Sequence, residues 1–531
     1  MIQKKKLSKL QEKDNFIASI DIGTNSTHLL IAEINIDTKS FSIKFTDKST
    51  TRLGERDEEG NLTEESIQRV LETLKRFKAY CYNNKVNQII TAATSAVREA
   101  PNGQEFINRI QNNIGIKVEL ISGFEEARLI YLGVLSSMVF KDDYYVILDI
   151  GGGSTELILA DKKDAIALTS ARVGAVRLKQ DFFNNEPISL ERTKFLKTFI
   201  KGLLEPSIRK IKRRLENDKP VSMIATSGTA ISLGNLILAD LGQPKQKMHG
   251  YKFKRENLEI VLDKLIKMPS SDIRKIPSLS ERRAEIIIPG GLILNTSMEM
   301  LDFNELTLSE RALREGLVVD WMLRQGIIKN EFNIQSNIRK TTIFHQANKF
   351  GVNAERSKKV TEIAFEIYDQ TISIFNNDID ERAKDLLWAA CNLYNCGKHI
   401  NIGSYHKHSW YLIKNCELLG YSQAETNIIA SIARYHRKTL PKKRHESWLH
   451  LISKEDKTLV LELSLILRLA ASLDQRPEKV ISSIKVKLLN NTLLFDLIPF
   501  DAKNDLLLEK WSLESCTNVV KELKNLELKV L

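Results

Sequence analysis

The sequence predicts an α/β protein in which two similar α/β lobes face each other across a cleft, followed by a helical domain and a small α+β cap. Three observations lead to this prediction. A strand–turn–strand segment occurs twice, at residues 17–32 and 145–160. After about residue 320, apolar residues recur at helical spacing. Residues 481–531 return to strand-like alternation and end in a helix.

The repeated segment has the pattern of a β-hairpin. From Asp21 and Asp149 onward, seven of twelve positions are identical, and each copy is an apolar strand, a turn of small residues and a second apolar strand. Glycine lets such a turn approach a ligand closely, and successive backbone N–H groups can bind an anion. Two matched copies therefore predict a pair of phosphate-binding turns, one on each lobe.

Further elements of the first lobe lie between the two copies. Residues 63–80 read as a helix, with Thr63 as the N-cap and Ser66 as the alternative. Residues 87–93 and 117–121 read as strands, and a second helix opens within the segment that follows Ser122. A lobe that alternates strands and helices in this way fits the predicted α/β class.

Bulk composition narrows the class of protein. The chain has 531 residues, enough for about three or four domains, with 27% charged residues and a net charge of +12, which favours an anionic partner. The five cysteines form no CxxC pair, so neither a disulfide framework nor a zinc ribbon is indicated. The basic N-terminus lacks the apolar core of a secretory signal, and no apolar run reaches a membrane span. We expect a cytoplasmic protein.

Seven stretches together resemble the exopolyphosphatase / guanosine pentaphosphate phosphohydrolase family, which belongs to the superfamily of sugar kinases, actin and heat-shock chaperone ATPases. They are IDIGTNSTHLLI (20–31), ATSAVREAPNG (93–103), ISGFEEARLIYLGV (121–134), LDIGGGSTELIL (148–159), ATSGTA (225–230), ERRAEIIIPGG (281–291) and LSERALREG (308–316). The resemblance is strong over about residues 16–320 and continues more weakly beyond.

This resemblance implies two actin-like (ribonuclease H-like) lobes with a cleft and a helical HD-like domain with a degenerate metal site. We expect the first lobe at 14–138, the second at 139–320, the helical domain at 321–478 and the α+β cap at 479–531. It also implies a homodimer, although the sequence shows no interface.

The resemblance further implies attack of water on a terminal phosphoanhydride, which needs positioning, charge neutralisation and a base. Glu126 corresponds to the general base, with its neighbour Glu125 as the fallback. Asp149 and Glu156 resemble the acidic pair that helps to hold Mg²⁺ or another divalent cation and orients water, and Asp21 is a further candidate ligand. A monovalent cation is left open as an additional ion.

By the same resemblance, three small-residue turns and one arginine bind phosphates. Arg98 is expected to make bidentate contacts, with a surface salt bridge as the alternative role. Gly290-Gly291 resembles another glycine turn of the superfamily. The expected phosphate-binding residues are Gly23, Thr24, Asn25, Ser26, Arg98, Gly151, Gly152, Gly153, Ser154, Thr155, Ser227, Gly228 and Thr229, and Thr226 belongs to the third turn.

The helical half departs from a working HD metal site. Residues 354–376, 381–396, 408–419 and 422–435 carry helical spacing. The expected metal-binding positions are instead Arg356 and the pair Tyr394-Asn395, and His406 and His408 lack a carboxylate partner. We therefore expect a helical scaffold without a second metal centre.

Residues 431–445 contain a run of basic residues without an acidic one. The run is either an ordinary solvated surface or an electrostatic track for a long polyanion, and the sequence leaves both open. The track would consist of Arg434, Arg437, Lys438, Lys442, Lys443 and Arg444.

The leading hypothesis is an exopolyphosphatase that releases orthophosphate from inorganic polyphosphate. The alternative is a guanosine pentaphosphate (pppGpp) phosphohydrolase, which would use the same motifs. A kinase of the same superfamily suits the Glu125-Glu126 motif less well, and an inactive polyphosphate- or nucleotide-binding regulator fits poorly with the retained Glu126, Asp149 and Glu156. Specific nucleic-acid binding would rest on charge alone.

Overall fold

A computed structural model describes residues 15–531 except 184–187, 216–218, 329–337, 376–380, 417, 419, 420, 422, 452 and 502–504. The chain forms two compact units, Met1–Ile338 and Arg339–Leu531. The basic N-terminal segment 1–14 lies outside the described residues. Among the described residues, no helix combines the length and the apolar character needed to cross a membrane.

The first unit begins with a sheet whose strand order is β3-β2-β1-β4-β5. Its first three strands are antiparallel neighbours, whereas β4 and β5 run parallel to β1. The first predicted hairpin is therefore confirmed. The strands are β1 (Phe16–Ile22), β2 (Thr27–Asn35), β3 (Ser40–Ser49), β4 (Gln88–Ala93) and β5 (Val118–Leu120).

The second sheet repeats this order and adds one edge strand, giving β10-β11-β9-β6-β7-β8. The hairpin of β6 and β7 takes the central place that β1 and β2 take in the first sheet. The sequence repeat therefore marks a repeat of topology. The strands are β6 (Tyr144–Ile150), β7 (Thr155–Ala160), β8 (Ala165–Ala171), β9 (Val221–Thr226), β10 (Lys252–Lys254) and β11 (Glu305–Leu308).

Helices cover both sheets. Thr63 caps the first helix and accepts a hydrogen bond from the Ser66 N–H, as predicted. The helices of this unit are α1 (Glu64–Asn83), α2 (Ser95–Arg98), α3 (Gly103–Ile114), α4 (Gly123–Leu135), α5 (Ala175–Phe182), α6 (Leu190–Lys212), α7 (Gly228–Asp240), α8 (Arg255–Lys267), α9 (Ser270–Ile273), α10 (Glu281–Ala284), α11 (Ile287–Leu301) and α12 (Leu313–Arg324).

Helices α4 and α12 pack between the two sheets. One apolar cluster joins Ala92 of the first sheet, Ile147 of the second, Ile130 of α4 and Leu317 of α12. The two helix backbones touch, because a Cβ on Gly316 would lie 1.8 Å from the Leu129 carbonyl oxygen. Helix α12 thus contacts elements of the first lobe, and the fixed position of α4 sets where its N-terminal residues lie.

The second unit combines helices and a three-stranded sheet in one apolar core, in which the buried Leu493 and Phe495 of the sheet belong to the same cluster as Tyr368 and Leu463. The predicted cap therefore shares its core with the helices. The elements are α13 (Ile338–Lys349), α14 (Ala354–Thr371), α15 (Glu381–Leu393), a 3₁₀ turn (Cys396–His399), α16 (Tyr405–Asn415), α17 (Gln423–Tyr435), α18 (Glu446–Leu449), α19 (Lys454–Ser472), β12 (Ile481–Leu489), β13 (Thr492–Pro499), α20 (Leu507–Glu514), α21 (Thr517–Lys524) and β14 (Glu527–Val530).

The predicted helices of this unit are present with shifted ends. Helix α16 begins at Tyr405, three residues before the predicted start at 408. The predicted ends at 376 and 419 and the predicted start at 422 lie outside the described residues. All five cysteines are buried thiols, in line with the absence of a CxxC motif.

Candidate active site

The two repeated turns have the same internal hydrogen bond. The Gly23 N–H donates to the Ser26 carbonyl oxygen at 3.1 Å, and the Gly151 N–H donates to the Ser154 carbonyl oxygen at 2.9 Å. Each turn joins the two central strands of its sheet. The shared turn geometry explains why the sequence repeat is strongest at these positions.

The two turns also touch each other. A Cβ on Gly152 would lie 2.8 Å from Cβ of Thr24, and a Cβ on Gly153 would lie 3.1 Å from Oγ1 of Thr24. Glycine at both positions therefore allows the turn of one lobe to reach the turn of the other. The lobes meet where the sequence predicted phosphate binding.

A cleft of about 630 Å³ lies at this meeting point. Its walls contain most of the predicted phosphate-binding residues, which lie on the three turns: Gly23, Thr24, Asn25, Ser26, Gly151, Gly152, Gly153, Ser154, Ser227, Gly228 and Thr229, together with Thr226. The structure thus brings three separate sequence motifs together in one cleft.

Thr155 and the pair Gly290-Gly291 do not lie in the turns that the sequence predicts for them. Thr155 is fully buried at the start of β7, where its hydroxyl donates to the Val173 carbonyl oxygen at 2.5 Å, so it does not line the cleft. Gly290 and Gly291 lie inside α11 and do not form a turn. Thr229 packs where a Cβ on Gly290 would stand, and Leu262 packs where a Cβ on Gly291 would stand. Close helix packing, and not a turn, is the reason for this glycine pair.

The third turn leads into α7 and holds an arginine. Ser227 has a φ of 96°, an uncommon conformation for a residue other than glycine, and its Oγ accepts the Ala230 N–H at 3.3 Å. Gly228 leaves room for Arg283, whose Nη2 would lie 1.8 Å from a Cβ at that position. Arg283 also donates to Thr229 Oγ1 at 3.3 Å, so the turn and this cation are fixed together.

Asp21 and Asp149, one from each lobe, line the cleft near the ends of the first strands of the two hairpins. Glu156 is the cross-strand neighbour of Asp149, and it is fully buried and does not itself line the cleft. Glu156 Oε1 accepts the Ser170 hydroxyl at 2.8 Å. Burial, followed by the charges of Glu156 and Asp21, raises the pKa of Asp149 to about 8. Burial likewise raises the pKa of Asp21 to about 6.

These carboxylates suit a divalent cation. Oδ1 of Asp21, Oδ1 of Asp149 and Oε2 of Glu156 are buried without a hydrogen-bond partner in the described structure. Within the described residues, no three Asp, Glu, His or Cys side chains form a ready-made metal site. Mg²⁺ needs no such cage, because it is usually held by one or two carboxylates together with water and substrate phosphates. The donor set therefore fits a hydrated Mg²⁺ held with the substrate.

Glu126 lies in the first turn of α4 and lines the cleft with only 7% of its surface exposed. Ser122 caps this helix by accepting the Glu125 N–H at 3.2 Å. Glu125 points elsewhere and pairs with Arg128 through two hydrogen bonds of 2.7 and 2.9 Å. The structure therefore places the favoured residue of the predicted pair in the cleft and engages the fallback residue in an ion pair.

Arg98 links Glu126 to the end of β5. Its Nη1 donates to the Ile121 carbonyl oxygen at 2.7 Å and lies 3.3 Å from Glu126 Oε2. Burial and the Glu156 charge raise the pKa of Glu126 well above its usual range, and Arg98 opposes this shift. Arg98 does not itself line the cleft, so bidentate phosphate binding by this residue stays a prediction.

Four basic side chains of the cleft were not predicted from the sequence, namely His28, Lys48, Arg283 and Arg314. Lys48 lies on β3 opposite His28 of β2. Burial and the charges of Arg283 and Arg314 lower the pKa of Lys48 to about 8. Arg283 and Arg314 stand inside two of the quoted family stretches, so a signal for them was present, whereas nothing in the sequence marks Lys48.

In the second unit, Arg434 and Arg437 of the predicted track lie over different aromatic rings. Arg437 lies over the Tyr405 ring, with 4.7 Å from its guanidinium carbon to the ring centroid. Arg434 instead lies over Tyr435, 5.8 Å from the centroid. Burial lowers the pKa of the nearby His445, and the charges of Arg434, Arg444 and Lys442 add to this shift. A single continuous track therefore does not follow from this geometry, and the track stays a prediction.

The expected HD metal positions contain an ion pair. Arg356 Nε lies 2.8 Å from Oδ2 of Asp474, and Tyr394 is buried beside Asn395. In the part of the chain that the structure describes, neither His406 nor His408 belongs to a cluster able to hold a metal ion.

Known proteins share this organisation. The model of the Ppx/GppA phosphatase family matches residues 30–325, and the model of Ppx/GppA phosphatase domain III matches residues 338–524. A crystal structure of the Aquifex aeolicus member of the Ppx/GppA family is 28% identical, with a TM-score of 0.51 over 59% of this chain and 99% of that chain. A crystal structure of an exopolyphosphatase from Cytophaga hutchinsonii is 28% identical, with a TM-score of 0.54 over the same shares.

The two family matches cover both units, and the structural matches support an actin-like fold for the N-terminal part, followed by a helical region. The cleft with its duplicated turns lies within the first matched range. The chain therefore belongs to the Ppx/GppA phosphatase family.

Proposed function

We propose that the protein is an exopolyphosphatase, which hydrolyses the terminal phosphoanhydride bond of inorganic polyphosphate. The observation that carries this proposal is the lining of the cleft. It is rich in glycines, hydroxyls and carboxylates and includes the cations Lys48, Arg283 and Arg314, and none of its described residues is a Phe, Tyr or Trp that could stack on a purine. Such a surface suits a ligand made of phosphate groups.

In this mechanism the first task of the cleft is to position the terminal phosphoryl group. N–H groups and hydroxyls of the turns at Gly23–Ser26 and Gly151–Ser154 hold the phosphoryl oxygens, and the nearby cations offset their charge. Asp149 and Glu156, with Asp21 as a further ligand, would hold Mg²⁺, which when bound neutralises phosphate charge.

Glu126 then accepts a proton from water as the water oxygen attacks the terminal phosphorus. The new P–O bond forms as the P–O bond to the bridging oxygen breaks, which leaves orthophosphate and a chain shorter by one residue. The buried position of Glu126 supports this role, because burial raises the pKa of the carboxyl group and makes its carboxylate a stronger base.

Hydrolysis of pppGpp is the second candidate, because the matched family includes both activities in its name. Orthophosphate release from long-chain polyphosphate and from pppGpp should be measured side by side on the full chain, with Mg²⁺ and with a chelator. We expect a higher kcat/KM for polyphosphate and loss of release with the chelator. A higher kcat/KM for pppGpp would assign the second candidate, and release from neither substrate would refute both.

A further inference from the structure

The start of helix α5 supports the second of the two repeated turns. The Gly151 carbonyl oxygen accepts the Ala175 N–H at 3.0 Å, and the Gly152 carbonyl oxygen accepts the Val176 N–H at 2.9 Å. A Cβ on Gly174 would lie 2.3 Å from the Gly152 carbonyl oxygen, so glycine is needed for this close approach. The backbone of α5 thus holds the first two carbonyl groups of the turn.

A side chain holds the third carbonyl group of this turn. Nε of Arg177 donates to the Gly153 carbonyl oxygen at 3.1 Å. In a trans peptide the carbonyl oxygen and the N–H point in opposite directions, and the Gly153 carbonyl group shares its peptide with the Ser154 N–H. The Ser154 N–H therefore points away from Arg177, so one guanidinium group sets the direction of this donor.

The N–H groups of this turn are available to a ligand. Gly152, Gly153 and Ser154 line the cleft, and among the described residues none of their N–H groups donates to a protein acceptor. Successive N–H groups with one orientation bind anions. Because Gly153 has no Cβ to restrict its backbone, its peptide could otherwise rotate and turn a carbonyl oxygen toward the ligand. The contact with Arg177 opposes that rotation.

Arg177 also reaches the first lobe. Its Nη2 lies 2.6 Å from Oε2 of Glu99, and Oε1 of Glu99 accepts the Ser95 hydroxyl at 2.8 Å. Burial opposes the ionisation of Glu99, but hydrogen bonds from Ser95 and Arg177 outweigh it and lower the pKa of this carboxyl group. Glu99 is therefore a carboxylate at neutral pH, and the guanidinium group joins it to the second turn across the boundary between the lobes.

The first repeated turn is supported differently. The carbonyl oxygens of Thr24 and Asn25 accept the backbone N–H groups of Gly54 and Arg52, at 2.8 and 3.0 Å respectively. These four residues all belong to the first lobe. The second turn instead relies at Gly153 on a side chain that is also paired with the other lobe, so the direction of its last donor depends on how the two lobes meet.

We propose that Arg177 is a positioning residue of the active site: by holding the Gly153 carbonyl group while it is paired with Glu99, it turns the Ser154 N–H toward the terminal phosphoryl group when the two lobes are closed. The inference rests on the proposed function, because it assigns a phosphoryl group as the ligand of this donor. Arg177 does not itself line the cleft and acts through the turn.

Chemical rescue on the full chain tests this role. Arg177→Ala removes the ethylguanidinium part of the side chain, and 37% of that side chain is exposed, so a solute can enter the space. Phosphate release from tripolyphosphate with Mg²⁺ gives kcat/KM without addition, with ethylguanidinium chloride and with ethylammonium chloride at equal ionic strength. Arg209→Ala is the matched control, since Arg209 belongs to an exposed ion pair with Glu205 on α6 of the same lobe.

We expect Arg177→Ala to lower kcat/KM about tenfold or more, because one donor to the phosphoryl group loses its orientation. Ethylguanidinium should restore activity saturably and ethylammonium should not, because only a guanidinium group can contact Gly153 and Glu99 together. Arg209→Ala should stay within about twofold of the parent and respond to neither solute. A general loss of stability would not distinguish between the two solutes.

Glu99→Gln tests the connection between the lobes. It should lower kcat/KM in the parent but add no more than about a twofold loss in Arg177→Ala, because Glu99 acts through Arg177. Losses that simply multiply in the double variant would overturn the coupling of the turn to the first lobe.

A kcat/KM of Arg177→Ala equal to that of the parent would overturn the proposal, and so would equal recovery with both solutes or with neither. Arg177→Lys serves if the alanine variant fails to fold, and an unchanged kcat/KM would then overturn the positioning role. If the parent itself releases no phosphate, the proposed function fails separately. The affinities of Glu126→Gln and Glu126→Gln/Arg177→Ala for tripolyphosphate, measured by calorimetry, then test the positioning role, and equal affinities would overturn it.

Discussion

Nη1 of Arg98 lies 3.3 Å from Oε2 of Glu126 and 2.7 Å from the carbonyl oxygen of Ile121. One guanidinium therefore ties the carboxylate at the start of α4 to the end of β5. This contact orients the side chain that we propose as the base, and it opposes part of the rise in pKa that burial causes. Both residues come from motifs recognisable in the sequence, yet their contact spans 28 positions of the chain.

Glu126→Gln should lower kcat for polyphosphate by about 10²–10⁴-fold, because the amide cannot accept the proton of the attacking water. Polymer binding should persist, since the turns that contact phosphate remain. Steady-state phosphate release and equilibrium binding measure the two effects. Glu125→Gln is the control and should keep kcat within about threefold, as Glu125 pairs with Arg128 outside the cleft. Equal losses in both variants would remove Glu126 from its role.

Arg98→Lys should retain the charge but lose the planar group that reaches Ile121 and Glu126 together. We expect kcat to fall about tenfold, with a smaller change in KM, because the substitution misplaces the base without emptying the cleft. Arg98→Met should lose more activity than Arg98→Lys. If the two variants and the parent share one kcat, the contact has no catalytic consequence.

Gly152→Ala should disrupt the contact between the two lobes. Its Cβ would meet Thr24 at 2.8 Å, so the two turns must separate. We expect a loss of about 1–3 kcal/mol in the free energy of unfolding, together with reduced activity. Gly202→Ala, inside α6 with open space around it, should instead stabilise the protein by about 0.5–1 kcal/mol. Denaturant unfolding distinguishes these opposite signs.

Lys48 should make substrate capture depend on pH. Its pKa is lowered to about 8 by burial and by Arg283, Arg314 and Arg282, against the opposing charge of Asp21, and His28 lies opposite it on β2. Lys48 is therefore positive below about pH 8 and loses its charge above it, so kcat/KM for polyphosphate should fall between pH 7 and 9. Lys48→Arg, which stays charged, should flatten this part of the profile. An unchanged profile in Lys48→Arg would assign the decline to another group.

The basic segment after α17 should matter for long chains if it acts as a track. Lys442→Gln/Lys443→Gln/Arg444→Gln should raise KM for long polyphosphate more than for short chains, and should reduce its salt dependence. Lys485→Gln/Lys487→Gln/Lys529→Gln removes the same charge from β12 and β14 and is the control. Equal changes at both chain lengths would leave the segment an ordinary solvated surface.

Much of the fold could be predicted because its signals are local. The hairpins, the helix capped by Thr63 and the helical half follow from apolar spacing and turn residues within short windows. The errors also have local causes. Gly290-Gly291 has the composition of a turn but lies in a helix, because packing against Thr229 and Leu262 requires small residues there. Thr155 continues the turn motif in sequence, yet the strand has already begun.

By itself, the sequence determined that the chain carries a duplicated turn of glycines and hydroxyls, a Glu at a helix start and a run of basic residues at 431–445. Only the tertiary structure decided that the two turns touch through Thr24 and Gly152, and that Lys48 and Arg283 join them in one cleft. It also decided that Arg437 lies over Tyr405 beside Lys398, away from Arg434. The physical reason is that periodicity fixes which face of an element is buried, whereas contacts between distant elements depend on packing that no short window of sequence contains.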